Sequence, residues 1–316
     1  MLRDLLRTRD LTPVDLVRVL ERAERFRREP HHARELLRGE SAVLYFNKPS
    51  TRTRISFETA LARLGGMPIA VGPQDLQLGR GETIEDTARV ISRYARVFVI
   101  RTYSDADVAR FARAASIPVI NALTDGHHPC QSAADVLTLR QKQGDLRRLK
   151  LAYLGDGNNV AHSLIEACAL CGGHIAVATP ATHAPDAEVV AGARAIAERT
   201  GACIELTDRP EEAASGADAV YTDAWLSMGD PPQERELRLA TFKPFQVDAR
   251  IMGLARPGAI FMHCLPDHRG EEVTAEVVDG PHSVVFDQAE NRLHTALAIV
   301  AELIEGGLEG SAQCAS

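Results

Sequence analysis

Short apolar runs that alternate with helix-periodic stretches constrain this chain more than any other feature of its sequence. AVLYF (42–46) leads into TRISFETALARLGG, MPIAVG (67–72) into TIEDTARVISRYA, VFVIRT (97–102) into DADVARFARAAS, and IPVINA (117–122) into PCQSAADVLTLRQKQG. Runs this short, apolar at consecutive positions and separated by helices, predict strands buried on both faces of a parallel sheet. The polar Gln141-Lys142-Gln143-Gly144 break interrupts the pattern. It then restarts with KLAYLGD, HIAVATP, CIELTD, DAVYTDAW, AIFMHCLP and SVVFDQAE. A chain of 316 residues also exceeds the usual single core. The expected fold is therefore α/β, with two doubly wound domains over 1–144 and 145–290, each a central parallel sheet flanked by helices.

Local signals place the remaining helices. Thr12 is a cap and Pro13 a first-turn residue for a helix running to about Arg28, with Val14, Val17, Leu20 and Phe26 as its buried stripe. Thr83 and Asp86 fit an acidic variant of the capping box. A last amphipathic helix, Asn291 to Glu305, shows Leu293, Leu297, Val300 and Leu303 on one face, and a helix over about 291–310 is expected to pack back on the first domain.

Charge and cysteine usage exclude several classes of function. A net charge of −7 does not suit a general nucleic-acid binder, so any anion must be gripped locally. No apolar run approaches the roughly 20 residues that cross a bilayer. The six scattered cysteines and the charged opening MLRDLLRTRD point to reduced thiols in the cytoplasm. Cys168-Ala-Leu-Cys171 has redox-pair spacing, but it lies within an apolar helical pattern and reads as core.

In open α/β sheets the chemistry gathers where strands end and helices begin. After AVLYF comes Ser50-Thr51-Arg52-Thr53-Arg54, which combines hydroxyls, guanidinium groups and the free N–H groups of a helix start. That is a phosphate grip. Arg101 closes VFVIRT and adds a donor at the same edge. His128-Pro129-Cys130-Gln131 has a histidine and an amide suited to polarising a carbonyl and holding an NH₂ group, although a capping histidine and a core-facing glutamine fit the same string. Gly155-Asp156-Gly157-Asn158-Asn159-Val160 fails as a dinucleotide fingerprint: Val160 replaces the third glycine, and HIAVATP ends without an acid for the ribose. Its asparagines remain available to a polar substrate.

Later strand ends carry Asp223 with Ser227-Met228-Gly229, then His263-Cys264-Leu265-Pro266, then Arg292 beyond FDQAEN. An acid, a hydroxyl and turn amides suit the charged backbone of an amino acid. Adjacent strand residues point to opposite faces, which separates His263 from Cys264 and argues against covalent cysteine catalysis.

Taken in order, STRTR, HPCQ, GDGNN, DxWxSMG from Asp223 to Gly229, HCLP and ENRxH from Glu290 to His294 resemble the ornithine carbamoyltransferases along nearly the whole chain. STRTR and HPxQ are shared with other carbamoyltransferases, while SMG with HCLP points to ornithine. The resemblance implies an active site in the cleft between the two domains. It makes Ser50, Thr51, Arg52 and Thr53 a cradle for carbamoyl phosphate, with Arg101 bridging phosphate and carbonyl, His128 facing the carbonyl, Gln131 holding the carbamoyl NH₂ and Arg292 touching the same ligand. Gln77 would enter the site of a neighbouring subunit. Asn159, Asp223, Ser227 and Met228 would hold L-ornithine, with Cys264 and the Leu265 backbone beside the reacting δ-amine. A homotrimer or an assembly of trimers is implied, and no metal or organic cofactor. One departure is Asp267 after HCLP, where the family more often has alanine.

The chemistry so implied is attack of the δ-amine on the carbamoyl carbon, with charge building on its oxygen near Arg101, Thr53 and His128. Phosphate leaves into a site already lined by cations. Rival readings are a carbamoyltransferase for another amine, such as putrescine or N-acylated ornithine, and a non-catalytic binding protein of the same fold.

Overall fold

The computed structural model describes residues 2–226 and 232–313, which divide into two units, one running up to Ala134 and resuming at Glu290, the other lying between Asp135 and Ala289. The first holds a parallel sheet of β1 (Ser41–Phe46), β2 (Met67–Val71), β3 (Val97–Arg101) and β4 (Val119–Leu123) in the order β2-β1-β3-β4. The second holds β5 (Lys150–Leu154), β6 (His174–Ala178), β7 (Cys203–Thr207), β8 (Ala219–Thr222) and β9 (Ile260–His263) in the order β7-β6-β5-β8-β9, also parallel. The strand order turns at β1/β3 in one sheet and at β5/β8 in the other. Loops leaving those strands therefore diverge and open a crevice at the carboxyl edge of each sheet.

The inner strands are apolar at consecutive positions because helices cover both faces. In the first unit Val43, Tyr45, Phe98 and Ile100 pack with Phe111 and Ile117, and the Phe98 and Phe111 rings stack at 4.0 Å. In the second, Tyr153, Val177, Tyr221 and Met262 pack on Leu164 and Ile165 of the Asn159–Cys171 helix. Edge strands are less covered: on β2, Met67 and Ile69 are exposed.

The division between units falls within the Pro129–Gln143 helix, before Gly144. From Asp135 onward this helix serves the second core: Leu139 joins the cluster around Tyr221, and the Asp135 carboxylate takes hydrogen bonds from Tyr221 and Gln288.

Three local expectations need correction. SVVFDQAE is not a strand: Ser283 makes only a bridge to Phe261, and a helix starts at Val285 and runs to Gln313. Its inward positions include Gln288, Asn291, Arg292 and Thr295, all buried, so polar residues disguise the helical period. In the Pro13–Arg28 helix, Val14 and Val17 are exposed at 66% and 47%, and the buried stripe is Leu16, Val19, Leu20, Ala23 and Phe26. The Thr83 box is half formed: Thr83 accepts the Asp86 N–H at 3.1 Å, while the Asp86 carboxylate goes to Arg89 at 2.8 Å. Thr12 and Asp15, by contrast, form the reciprocal cap.

Candidate active site

In the first unit, the loop Asn47–Ser50 carries the chain from β1 into the Arg52–Arg63 helix, whose N-terminal residue Thr51 is already in the right-handed helical region and gives no side-chain cap. Sequence usually supplies such a cap, because the first N–H groups of a helix otherwise need another acceptor. Here those N–H groups sit beside cations. Arg52 is half-buried and Thr53 buried, whereas Arg54 is exposed and pairs with Glu58 at 2.9 Å. Ser50 is half-buried and Thr51 exposed. The STRTR string thus divides: Thr53 turns inward and Arg54 lies on the solvent side.

Three helices bring their groups together at this point. Arg292, only 3% exposed, donates to Gln131 Oε1 at 2.5 Å and to Thr53 Oγ1 at 3.1 Å. Buried Arg101 ends β3, and its carbonyl accepts the Asn47 N–H at 2.9 Å, tying the loop after β1 to the neighbouring strand. His128 is buried at the start of the Pro129–Gln143 helix. Burial drives its pKa well below the ordinary 6.5, and Arg292, Arg101 and Arg52 add to the effect. The imidazole is therefore neutral near pH 7 and offers a hydrogen bond in place of a charge. Cys130 is buried against the Asn121 carbonyl, and burial pushes its thiol up to about 12, so it is inert as a nucleophile.

The loop that presents His128 is held by residues that sequence reading did not single out. Asp105 accepts from Thr124 Oγ1 at 2.6 Å and from the Gly126 N–H at 3.0 Å, and Asn121 donates to Thr124 Oγ1 at 3.0 Å. A Cβ at Gly126 would lie 2.6 Å from Asp105 Oδ2 and push that carboxylate aside. No motif marks these positions; their partners are brought by β4 and the helix after β3. Gln77 lies exposed in the loop following β2, where its carbonyl accepts the Arg80 N–H.

In the second unit, the ends of β5, β8 and β9 converge because the three strands are neighbours in the sheet. Asp223 follows β8 and Cys264 follows β9, so the Thr222↔His263 register sets them side by side. Cys264 Sγ donates to Asp223 Oδ1 at 2.9 Å, the Ala224 N–H reaches the same oxygen at 2.8 Å, and Asn158 Nδ2 donates to Asp223 Oδ2 at 2.8 Å. Asn158 also caps the Asn159–Cys171 helix, with Oδ1 accepting from Val160 and Ala161 at 2.9 and 3.2 Å. The GDGNN asparagines are thus distinguished by folding: Asn158 caps the helix and binds Asp223, and half-buried Asn159 begins the helix. Gly157 has a packing reason unrelated to phosphate, since a Cβ there would lie 2.4 Å from Pro185 N.

A further residue outside the motifs joins these loops. Arg238 donates to the Trp225 carbonyl at 2.9 Å and to Asp156 Oδ2 at 2.7 Å, and its guanidinium lies 5.2 Å from the Phe242 ring centre. It fixes the segment after Asp223 against the GDGNN loop. Ser227 and Met228 lie outside the described residues. Asp267, the departure from the family pattern, pairs with Arg269 at 3.0 Å, and Arg269 also holds Asp279 at 2.7 Å. Its added charge is therefore matched locally.

Asp223, His263 and Cys264 bring an oxygen, a nitrogen and a sulfur within 4.8 Å of one another, a donor set of metal-binding type. Those residues already have partners: His263 Nδ1 accepts the Leu265 N–H at 2.8 Å, and the thiol donates to Asp223. A thiol that donates to a carboxylate is also a poor nucleophile, because its thiolate would face a like charge. The cluster is instead suited to hydrogen bonding with an amine.

Comparison with known proteins fits this geometry. Residues 3–141 match the aspartate/ornithine carbamoyltransferase carbamoyl-P binding domain, and residues 147–303 match the Asp/Orn binding domain of the same family. The chain is 50% identical over 305 residues to an ornithine carbamoyltransferase of Acidothermus cellulolyticus, covering 96% of this chain and 97% of that one. The solved ornithine carbamoyltransferase of Pyrococcus furiosus superposes with a TM-score of 0.92 at 47% identity, over 96% of this chain and 98% of that one. The anabolic ornithine carbamoyltransferase of Campylobacter jejuni gives 0.90 at 34% identity, over 96% and 99%. With both of its units matched and relatives spanning almost its full length, this chain belongs to the ornithine carbamoyltransferases.

Proposed function

We propose that the protein transfers the carbamoyl group of carbamoyl phosphate to the δ-amine of L-ornithine, giving L-citrulline and phosphate, in the biosynthetic direction that serves arginine formation. The observation that carries the reading is the buried Thr53–Gln131–Arg292 cluster beside His128, at a helix start with no side-chain cap. Arg52, Arg101 and Arg292 offset the charge of the departing phosphate, and the helix N–H groups add oriented donors. Neutral His128 and Thr53 donate to the carbamoyl oxygen as charge builds there, and Gln131 orients the NH₂ group. Asp223 binds the α-amino group of ornithine, with Asn159, Ser227 and Met228 completing its grip. Cys264 and the Leu265 backbone flank the δ-amine.

That amine has a solution pKa near that of lysine, about 10.4, so the reactive neutral form must be selected on binding. Gln77 is exposed and available to a neighbouring copy, and exposed Ile55, Met67 and Ile69 on and beside the β2 edge favour a homotrimer of this chain, alone or stacked into larger assemblies. None of the cysteines among the described residues forms a disulfide, consistent with a cytoplasmic enzyme. No described helix is long and apolar enough to cross a membrane.

The test is a citrulline assay with purified protein, carbamoyl phosphate and a panel of L-ornithine, putrescine and N-acetylornithine. Turnover should be fastest with ornithine, because an acylated nitrogen loses the charge that Asp223 attracts. A higher kcat/KM for either of the other amines would overturn the acceptor assignment. Absence of turnover with all three would leave only a binding protein.

A further inference from the structure

The Cys264–Leu265 turn rests on two buried side chains that the reaction outlined above does not use. His263 and Glu272 are each fully buried. The Leu265 N–H donates to His263 Nδ1 at 2.8 Å, and His263 Nε2 faces Glu272 Oε1 at 3.3 Å. A ring nitrogen that accepts a hydrogen bond holds no proton, so the imidazole proton sits on Nε2, next to the carboxylate. Glu272 also accepts the His268 N–H at 2.5 Å, and the His268 ring lies 3.6 Å from its second oxygen. Burial pushes the Glu272 carboxyl up, but the His263 ring and the His268 N–H outweigh it and hold the group below its ordinary range. On the other side, the His263 backbone N–H donates to Gln288, whose amide reaches Asp135 and Tyr221. The Leu265 N–H thus holds the ring at Nδ1, and Gln288 holds the His263 backbone.

Leu265 needs such an anchor. Its φ of 57° lies in the left-handed region, which a leucine rarely occupies. The bond to His263 Nδ1 satisfies its N–H in that conformation, and the preceding residue is then Cys264, with Sγ against Asp223.

We propose that Glu272 is a positioning residue for carbamoyl transfer: its carboxylate selects the His263 tautomer that holds the Leu265 amide, and through that turn it sets Cys264 against Asp223. The sequence of contacts is carboxylate, Nε2–H, Nδ1 lone pair, Leu265 N–H, and then the thiol–carboxylate contact. Without an acceptor at 272 the proton is free to move to Nδ1, where it would oppose the Leu265 N–H, donor against donor. The proposal rests on the reading that Cys264 and Leu265 flank the attacking amine.

Two measurements test it. Neutron diffraction from the unsubstituted enzyme at neutral pD should place a deuteron on His263 Nε2 and none on Nδ1. In steady-state assays, Glu272→Leu should lower kcat about tenfold or more while the KM for carbamoyl phosphate stays within about twofold. Asparagine at 263 offers an amide oxygen to Leu265 that does not depend on residue 272. In a His263→Asn background, adding Glu272→Leu should therefore cost less than about threefold. A deuteron on Nδ1 overturns the relay and leaves the assignment of the turn to the amine standing; this holds even if Glu272→Leu does not fold. A deuteron on Nε2 with unchanged kcat in Glu272→Leu overturns the positioning role and leaves the assignment of the turn to the amine standing. Equal losses in both backgrounds reduce Glu272 to a packing residue.

Discussion

His128 is a neutral imidazole set among guanidinium groups, and its protonation links the site to the stability of the fold. Its folded pKa lies well below 6.5, through burial first and then Arg292, Arg101 and Arg52. In the unfolded chain it protonates near 6.5. Its contribution is therefore complete above about pH 6.5 and is lost as pH falls below that value toward the depressed folded pKa. Scanning calorimetry at stepped pH should show Tm falling from pH 7 to 5.5, and His128→Gln should flatten that fall. Inorganic phosphate bound among the arginines should lessen the slope, because an anion offsets the cations that disfavour the imidazolium. Arg52→Ala should weaken carbamoyl phosphate binding by about 1.5–3 kcal/mol in titration calorimetry, and unchanged affinity would refute its role. At this scale sequence is informative where a group and its purpose are local. Arg52, Thr53, His128 and Gln131 stand in short strings at strand ends, so their placement along one sheet edge is readable. The bond from Arg292 to Thr53 is not, since 239 residues separate the two. Nor is the contact between Asn158 and Asp223, which follows from the β5–β8 pairing.

Among the elements, the strands were legible because burial on both faces leaves an unbroken apolar run, as in β3, where every residue is buried. The start of the last helix was not, because Gln288, Asn291 and Arg292 occupy inward positions where a periodic reading expects apolar side chains. A buried polar face of that kind is itself a signal of function, since each group must find a partner. The Asn159–Cys171 helix shows the same double duty at its first turn. Asn158 caps it and also supports Asp223, so Asn158→Ala should lower stability by about 1–2 kcal/mol in urea unfolding and raise the KM for ornithine. Asn158→Asp keeps a capping oxygen but sets a second carboxylate against Asp223. It should retain most of the stability and still lose ornithine affinity, a split that separates the two roles of the side chain.

For the molecule as a whole, the first unit is discontinuous in sequence, closed by residues 290–316. Leu297, Ile299, Val300 and Ile304 are buried there, and Arg22 pairs with Glu302 and Glu305 at 3.2 and 2.5 Å. Each buried aliphatic side chain contributes about 1.5–3 kcal/mol, so the four together are comparable to the entire stability of an ordinary domain, about 5–15 kcal/mol. A chain stopped after Ala289 should show no cooperative unfolding of the first unit and no carbamoyl phosphate binding by calorimetry. The alternation of strands and helices foretells both sheets, whereas the partners of the last helix are not legible, because they come together only once the chain has folded. The same helix sets an order on synthesis. A ribosome delivers Thr53 long before Arg292, so the first sheet emerges without its last covering helix and waits for it while the whole second unit is made. A stop codon ahead of Glu290 would therefore strand a long, aggregation-prone product, whereas the same stop after a domain contiguous in sequence would spare everything upstream.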